Sequence, residues 1–142
     1  FDPFTNGHDS IVRRAVPLFD QLIIGIGHNT SKQGYFSLAQ RIDWIKATYQ
    51  NEPKVRVETF EGLTVDFCDR MGCQFIVRGL RNSSDFDYES AIAQMNHQLN
   101  ERVQTVFLTC DPAYNAINAR IVREIHKSGG DVSAFLPFPL EA

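Results

Sequence analysis

The sequence has no apolar run long enough to cross a bilayer, and no signal peptide is visible, although the first residue is Phe rather than Met. It also lacks an excess of positive charge. Its 14 Lys and Arg stand against 17 Asp and Glu, and this net charge of −3 argues against bulk nucleic-acid binding through phosphates. Cysteine is scarce, and the three residues Cys68, Cys73 and Cys110 form no CxxC pair, so neither a disulfide framework nor a zinc site is indicated. We therefore expect a cytoplasmic protein with no nucleic-acid or membrane partner.

The composition is typical of a globular protein, with 43% hydrophobic and 22% charged residues, and the length of 142 residues predicts one domain over residues 1–142. Helical and strand patterns alternate. Helices are predicted from about Gly7, Ser37, Leu63, Ser83 and Ile117, and strands at QLIIGIG, KVRVETF, CQFIVRG and VQTVFLTC. The first helical pattern runs to about Phe19, and Pro17 within it indicates an early end or a kink. SLAQ (37–40) has the form of a capping box, Gly72 is expected to end the third helix, and a serine is expected to cap the fourth. This order predicts an α/β fold with a doubly wound parallel sheet. Such a sheet usually has a strand before its first helix, so we expect the natural chain to carry one short strand that is missing here.

The candidate site residues follow the predicted strands, where open α/β sheets bind their ligands. These stretches carry His8, Lys32, Arg78 and Arg81. Three cations and a histidine at one edge of an acidic protein suit phosphate groups, which Arg binds through paired hydrogen bonds and Lys as a point charge. Gly7 would let a phosphate approach the backbone closely, and the helix start behind it offers free N–H groups.

Each of these residues also has a plainer interpretation. His8 is compatible with an incidental place in a helix cap, Lys32 with a solvated loop, and the RGLR stretch (78–81) with a surface ion-pair loop. Cys110 follows a predicted strand, but no histidine is placed to activate it, so we expect a core or rim thiol rather than a nucleophile.

Several stretches together resemble one family. FDPFTNGH, SKQGYFSLAQR, VRGLRNSSDFDYE, QMN and GGDVSAFLP are similar, in the same order along nearly the whole chain, to bacterial phosphopantetheine adenylyltransferases. That family belongs to the nucleotidyltransferase superfamily with an early (T/H)xGH motif. RGLR with DFDYE is the most specific part, because it separates this family from cytidylyltransferases and from nicotinamide-mononucleotide adenylyltransferases.

The resemblance implies an enzyme of coenzyme A synthesis with a Rossmann-like fold. Such enzymes transfer the adenylyl group of ATP to 4′-phosphopantetheine, with magnesium, and release dephospho-coenzyme A and pyrophosphate. The implied partners are ATP, 4′-phosphopantetheine and dephospho-coenzyme A or coenzyme A, and the implied assembly is a cytosolic homohexamer. The nucleophile is already a phosphate oxygen, so no general base is required and the residues need only position the substrates and neutralise charge.

The resemblance also implies roles for individual residues. The catalytic set is His8, which stabilises the transition state, with Lys32 and Arg81. The acceptor phosphate is held by Lys32 and Arg78, and the pantetheine arm is lined by Leu63, Thr64 and Asn96. The remaining residues that the family pattern assigns to ATP are Phe1, Gly7, Gly79, Leu80, Glu89, Tyr114, Asn115, Ala116, Ile117, Asn118, Ala119 and Arg120.

Two features depart from the family pattern. The opening strand and the PGT before FDP are absent, and with them a Thr that normally helps to hold the reacting phosphate. The late motif, usually close to ISST, here runs Ile117, Asn118, Ala119, Arg120, while Arg123 keeps the motif's final basic place. Arg120 either binds pyrophosphate oxygens or blocks them; we predict that it reaches the β- or γ-phosphate.

Two alternatives to this adenylyltransferase stay open. One is a related nucleotidyltransferase with another phosphorylated acceptor, which the altered late motif permits and RGLR opposes. The other is a catalytically weak nucleotide- or coenzyme A-binding relative, which the combination of His8, Lys32 and Arg81 opposes.

Overall fold

The structure is a computed structural model that describes residues 1–140. Helices and strands alternate in it. The helices are α1 (Asn6–Ala15), α2 (Leu38–Thr48), α3 (Thr64–Met71), α4 (Ser83–Leu99) and α5 (Ala119–Lys127). The strands are β1 (Leu22–Gly27), β2 (Val55–Phe60), β3 (Phe75–Leu80) and β4 (Gln104–Thr109). This is the Rossmann-like α/β order that the sequence predicted.

The strands form two parallel pairs. β1 pairs with β2 from Leu22 opposite Val55 to Gly27 opposite Phe60, and β3 pairs with β4 from Phe75 opposite Gln104 to Leu80 opposite Thr109. Within residues 1–140 no ladder joins β1 to β3, so the continuous sheet that we expected is present as two halves. All four strands still run parallel within their pairs, as βαβ connections require.

The main core lies on the β1–β2 half. α1, β1, α2, α5 and the segment after α5 bury a contiguous apolar cluster: Phe4, Val12, Ile24, Ile26, Ile45, Tyr49, Val122, Val132, Leu136 and Phe138. The half around β3 and β4 is thinner, because α4 buries none of its residues and the smaller cluster there contains only Val65, Cys68 and Val103. No helix among residues 1–140 has both the length and the apolar character needed to span a membrane.

Helix boundaries follow local chemistry. Ser37 and Gln40 form the predicted capping box of α2, and Gly72, with φ of 68°, ends α3 in the left-handed region. α1 ends at Ala15, where a 3₁₀ turn containing Pro17 follows, which is the early end that the proline indicated. The predicted serine cap of α4 is wrong: Asn82 caps this helix, and its side chain accepts the N–H of Asp85 at 2.9 Å.

Candidate active site

His8 is held by the turn that opens α1. The Thr5 N–H donates to His8 Nδ1 at 3.0 Å, and Thr5 Oγ1 lies 3.1 Å from the same nitrogen. Because Nδ1 accepts from an amide, the proton of a neutral ring lies on Nε2, which leaves one donor free for a ligand. The rings of Phe1 and Phe4 pack against the imidazole, with centroids 4.9 and 5.4 Å away. The ring is therefore fixed in both tautomer and orientation.

The imidazole is uncharged. Burial, followed by positive charges that include Arg78 and Arg81, lowers the pKa of His8 to about 3. The Arg78 and Arg81 charges act on the ring from the carboxyl end of β3. At neutral pH this end of the sheet therefore offers an anion a neutral N–H donor in the field of two arginines.

Both arginines of the RGLR stretch pair with carboxylates of α4. Arg78 donates from Nε and Nη2 to Glu89, at 2.9 and 2.7 Å. Arg81 donates to Asp85 from Nε and Nη2, at 3.0 and 3.2 Å, and its backbone N–H adds a bond of 2.9 Å. The hydrogen bond from Arg81 holds the pKa of Asp85 below its ordinary value. β3 extends to Leu80, so Arg78 lies within the strand and only Arg81 follows it.

The RGLR glycine brings α1 onto β3. A Cβ built on Gly79 would lie only 2.6 Å from Cγ1 of Ile11, which is closer than side-chain carbons approach one another. A larger residue would push α1 away from the strand. Since Ile11 lies one turn beyond His8, this close approach helps to set the position of His8 relative to β3.

The late segment borders the start of α1. A Cβ built on Gly7 would lie 3.9 Å from the carbonyl oxygen of Tyr114, and the Asn118 side chain caps α5 by accepting the Arg120 N–H at 2.8 Å. The Arg120 side chain is 79% exposed and its Nε lies 3.2 Å from Glu124, one turn along α5. The structure thus places this segment next to TNGH but directs the Arg120 guanidinium along its own helix. ATP contacts from 114–120 stay a prediction.

Lys32 lies in the loop 28–37 that follows β1. Its side chain is exposed, and its N–H donates to the Asn29 carbonyl at 3.0 Å in a local turn. Among residues 1–140 no carboxylate lies within ion-pair distance of its amine. The Lys32 cation is therefore not neutralised within the chain, whereas Arg78 and Arg81 are.

The residues predicted to line the pantetheine arm are more scattered. Leu63, 52% exposed, precedes α3, Thr64 is the first residue of that helix, and Asn96 lies on α4. No hydrogen bond among the described residues connects these three side chains with the His8 group. Their shared role stays a prediction.

The sequence predicted no role at this site for Asp2 or Arg41, and it gave Arg123 a place in the late motif without a partner. The backbone carbonyl of Asp2 accepts from Nη1 of Arg123 at 2.6 Å, and the carbonyl of Phe1 accepts from Nη1 of Arg41 at 3.4 Å. Arg41 Nε is buried without a hydrogen-bond partner. The sequence signal for Arg41 was its place in SLAQR, but its proximity to Phe1 depends on a contact across forty positions.

The described residues show no group of three or more His, Cys, Asp or Glu side chains that could hold a metal ion. The carboxylates at the start of α4 that face the RGLR stretch, Asp85 and Glu89, are both engaged by arginine. The part of the chain that the structure describes therefore shows no carboxylate cage of the kind that binds magnesium without a phosphate ligand.

Comparisons with known proteins agree with this geometry. The model of the cytidylyltransferase-like family matches residues 1–125. The phosphopantetheine adenylyltransferase of Cytophaga hutchinsonii is 46% identical over 99% of this chain and 93% of its own. The phosphopantetheine adenylyltransferase of Flavobacterium psychrophilum is 46% identical over 96% of this chain and 90% of its own length. The one of Syntrophotalea carbinolica is 43% identical over 96% of this chain and 82% of its own length. This chain belongs to the phosphopantetheine adenylyltransferase family. It is an enzyme, a nucleotidyltransferase, as the order of its motifs predicted.

Proposed function

We propose that this chain transfers the adenylyl group of ATP to the phosphate of 4′-phosphopantetheine, giving dephospho-coenzyme A and pyrophosphate in the penultimate step of coenzyme A synthesis. Family membership supports the reaction class. The observation that carries the assignment is the His8 ring, whose Nδ1 is bonded to the Thr5 amide, whose Nε2–H makes no hydrogen bond within residues 1–140, and whose pKa is lowered in part by Arg78 and Arg81. This arrangement suits a group that must donate to phosphate oxygens without exchanging a proton.

The chemistry is an in-line displacement. A phosphate oxygen of phosphopantetheine attacks the α-phosphorus of ATP, the new P–O bond forms, and the bond to the β-phosphate oxygen breaks to release pyrophosphate. No proton needs to be removed from the nucleophile. His8 Nε2–H donates to an oxygen on which charge develops, and Arg81 supplies positive charge on the same side.

In this proposal Lys32 and Arg78 bind the acceptor phosphate. Lys32 is exposed and makes no ion pair within residues 1–140, so its charge is available to an incoming phosphate. Arg78 is bound bidentately to Glu89, but its side chain is 49% exposed, which leaves part of the guanidinium accessible. A phosphate can share Arg78 with Glu89 or displace it.

We propose that magnesium enters as the ATP complex rather than on a protein site. Phosphate oxygens are ligands that this hard cation prefers, and the described residues provide no cage of their own. The metal then supplies charge neutralisation at the polyphosphate. The chain's part is to orient that polyphosphate against the start of α1 and the RGLR arginines.

The test is pyrophosphate release from ATP with 4′-phosphopantetheine and Mg²⁺, repeated with CTP in place of ATP and with nicotinamide mononucleotide as the acceptor. We expect release only with the first pair. His8→Ala should lower kcat by about a hundredfold to a thousandfold, as loss of a transition-state donor typically does. The control His97→Ala removes an exposed histidine on α4 and should leave kcat unchanged. Full turnover by His8→Ala would make His8 a cap residue only.

We further propose a cytoplasmic homohexamer that uses neither nucleic acid nor membrane as a partner. In support, α4 exposes apolar side chains at spacings of four, three and four residues, which form one stripe on a helix. These are Tyr88, Ile92, Met95 and Leu99, with 70%, 37%, 64% and 61% of their surface exposed. Light scattering after gel filtration tests the assembly: a monomeric mass would contradict it, and Met95→Glu should dissociate a hexamer that buries the stripe.

A further inference from the structure

The Asp2 carboxylate binds two consecutive backbone amides of the Lys32 loop. Its Oδ2 accepts the Tyr35 N–H at 2.7 Å, and its Oδ1 accepts the Phe36 N–H at 3.0 Å. No Arg or Lys within residues 1–140 forms an ion pair with this carboxylate. Both oxygens are therefore directed to one task, which is to hold the end of the loop 28–37.

The fit around this carboxylate is tight. A Cβ built on Gly34 would lie 3.0 Å from Asp2 Oδ2 and 3.1 Å from the Phe36 carbonyl oxygen, so only glycine leaves the contact undisturbed. The Asp2 backbone carbonyl also accepts from Arg123 of α5 at 2.6 Å. Asp2 thus joins the loop and α5 to the segment that leads into α1.

Lys32 lies between two anchored ends of its loop. At the start, the His28 N–H donates to the Phe60 carbonyl at 3.0 Å, and His28 Nδ1 lies 3.2 Å from Glu61. From Asn29 to Lys32 the hydrogen bonds are local: Asn29 Oδ1 accepts from the N–H and hydroxyl of Ser31, at 2.9 and 2.6 Å, and the Asn29 carbonyl accepts from Lys32. Beyond Lys32, the loop is tied to other elements by Asp2 and by the Tyr35 hydroxyl, 2.7 Å from Nδ1 of His126.

Asp2 also lies in the segment that positions His8. Its neighbour Phe1 packs on the His8 ring, and Thr5, three residues after Asp2, binds His8 Nδ1. The same short segment therefore contacts the imidazole directly and the Lys32 loop through Asp2.

We propose that Asp2 is a positioning residue that acts through Lys32. By clamping the Tyr35 and Phe36 amides, it sets the loop 28–37 at a fixed distance from His8, so that the acceptor phosphate bound by Lys32 lies in line with the nucleotide. This inference rests on the proposed function. It differs from a purely structural role, because it requires the effects of Asp2 and Lys32 on acceptor binding to be coupled.

The experiment is a double-mutant cycle of Asp2→Ala and Lys32→Ala, measured as KM and kcat for both substrates in the pyrophosphate-release assay. Asp2→Ala alone should raise KM for phosphopantetheine by about tenfold to a hundredfold, the usual effect of losing a charge-assisted hydrogen bond. KM for ATP should change by less than about threefold. In the Lys32→Ala background, Asp2→Ala should have little further effect on KM for phosphopantetheine.

Two further variants distinguish loss of the Asp2 contact from general misfolding of Asp2→Ala. Asp2→Asn keeps one carbonyl oxygen for one of the two amides and should give an intermediate KM. Gly34→Ala disturbs the same contact from the loop side without altering the carboxylate, and should also raise KM for phosphopantetheine selectively. The control Asp131→Ala removes an exposed carboxylate that also accepts a backbone N–H, that of Ser133 at 2.9 Å, and should leave both KM values unchanged.

Amide hydrogen exchange tests the contact of Asp2 with the Tyr35 and Phe36 amides independently of enzyme activity. These two amides should exchange faster in Asp2→Ala than in the unaltered chain, while the amides of β1 keep their protection. Additive effects of Asp2→Ala and Lys32→Ala in an active enzyme would overturn the positioning role alone. Unchanged exchange at Tyr35 and Phe36 would overturn the clamp itself. An unaltered chain that releases no pyrophosphate would overturn the proposed function and this inference with it.

Discussion

Acidification should destabilise the folded chain through His8. In the folded protein the pKa of His8 is lowered to about 3, chiefly by burial, whereas an unfolded histidine titrates near its ordinary value. Below about pH 6.5 the unfolded chain therefore binds a proton at His8 that the folded chain does not bind. The free energy of unfolding falls as the pH drops from about 6.5 toward 3. Between pH 7 and pH 5 the loss attributable to this residue is about 2 kcal/mol, at roughly 1.4 kcal/mol per pH unit.

The measurement compares the unaltered chain with His8→Asn, which does not titrate and can still accept from the Thr5 N–H. Free energies of unfolding are obtained from urea denaturation followed by circular dichroism at pH 7, 6 and 5. All other titrating groups contribute to both chains, so the difference between the two pH slopes isolates His8. Equal losses in the two chains would refute the assignment of a neutral, buried imidazole.

Three other outcomes follow from the site. Lys32→Ala and Arg78→Ala should each weaken phosphopantetheine binding by roughly 1.5–3 kcal/mol and ATP binding less; equal losses for both ligands in calorimetric titrations would contradict their assignment to the acceptor. Gly79→Ala should lower the free energy of unfolding by about 1–3 kcal/mol because the added methyl overlaps Ile11. The same substitution in an Ile11→Ala background should cost clearly less, and an unchanged cost would mean that the overlap is not the cause. Arg120→Thr should change stability by less than about 0.5 kcal/mol, since its pair with Glu124 is exposed on both sides; calorimetry should also show only a modest change in ATP affinity, and a large gain would identify Arg120 as a blocking residue.

Much of the fold could be predicted because its signals are local. The alternation of strand and helix periodicities predicted the element order, and residues close in sequence predicted the capping box at Ser37 and the left-handed end at Gly72. The effect of Pro17 was local too, since the proline indicated the early end of α1 that the 3₁₀ turn shows. One local prediction was wrong: Asn82 caps α4, and not the serine that follows it.

The candidate site could be predicted in part. Parallel strands bring their carboxyl ends to one edge, so the sequence rule predicted that His8 lies near Arg81, and the positive charge of Arg81 contributes to the lowered pKa of His8. The sequence rule could not predict the protonation of His8 or the ion-pair partners of the arginines. The pairing of Arg78 with Glu89, eleven positions along, and the neutral form of His8 depend on which side chains meet and how much water they lose.

The sequence by itself determined the α/β order, the motif residues and the family, since each is written in spacings of a few residues or in the succession of stretches along the chain. Only the tertiary structure decided that Asp2 holds the Lys32 loop, that Gly79 admits Ile11, and that the Arg120 guanidinium turns toward Glu124. Hydrogen bonds and steric contacts act over about 3–4 Å. The contacts of Asp2 with Tyr35 and of Gly79 with Ile11 join residues 33 and 68 positions apart, and no local pattern specifies which of many compatible partners the folded backbone will bring within that distance.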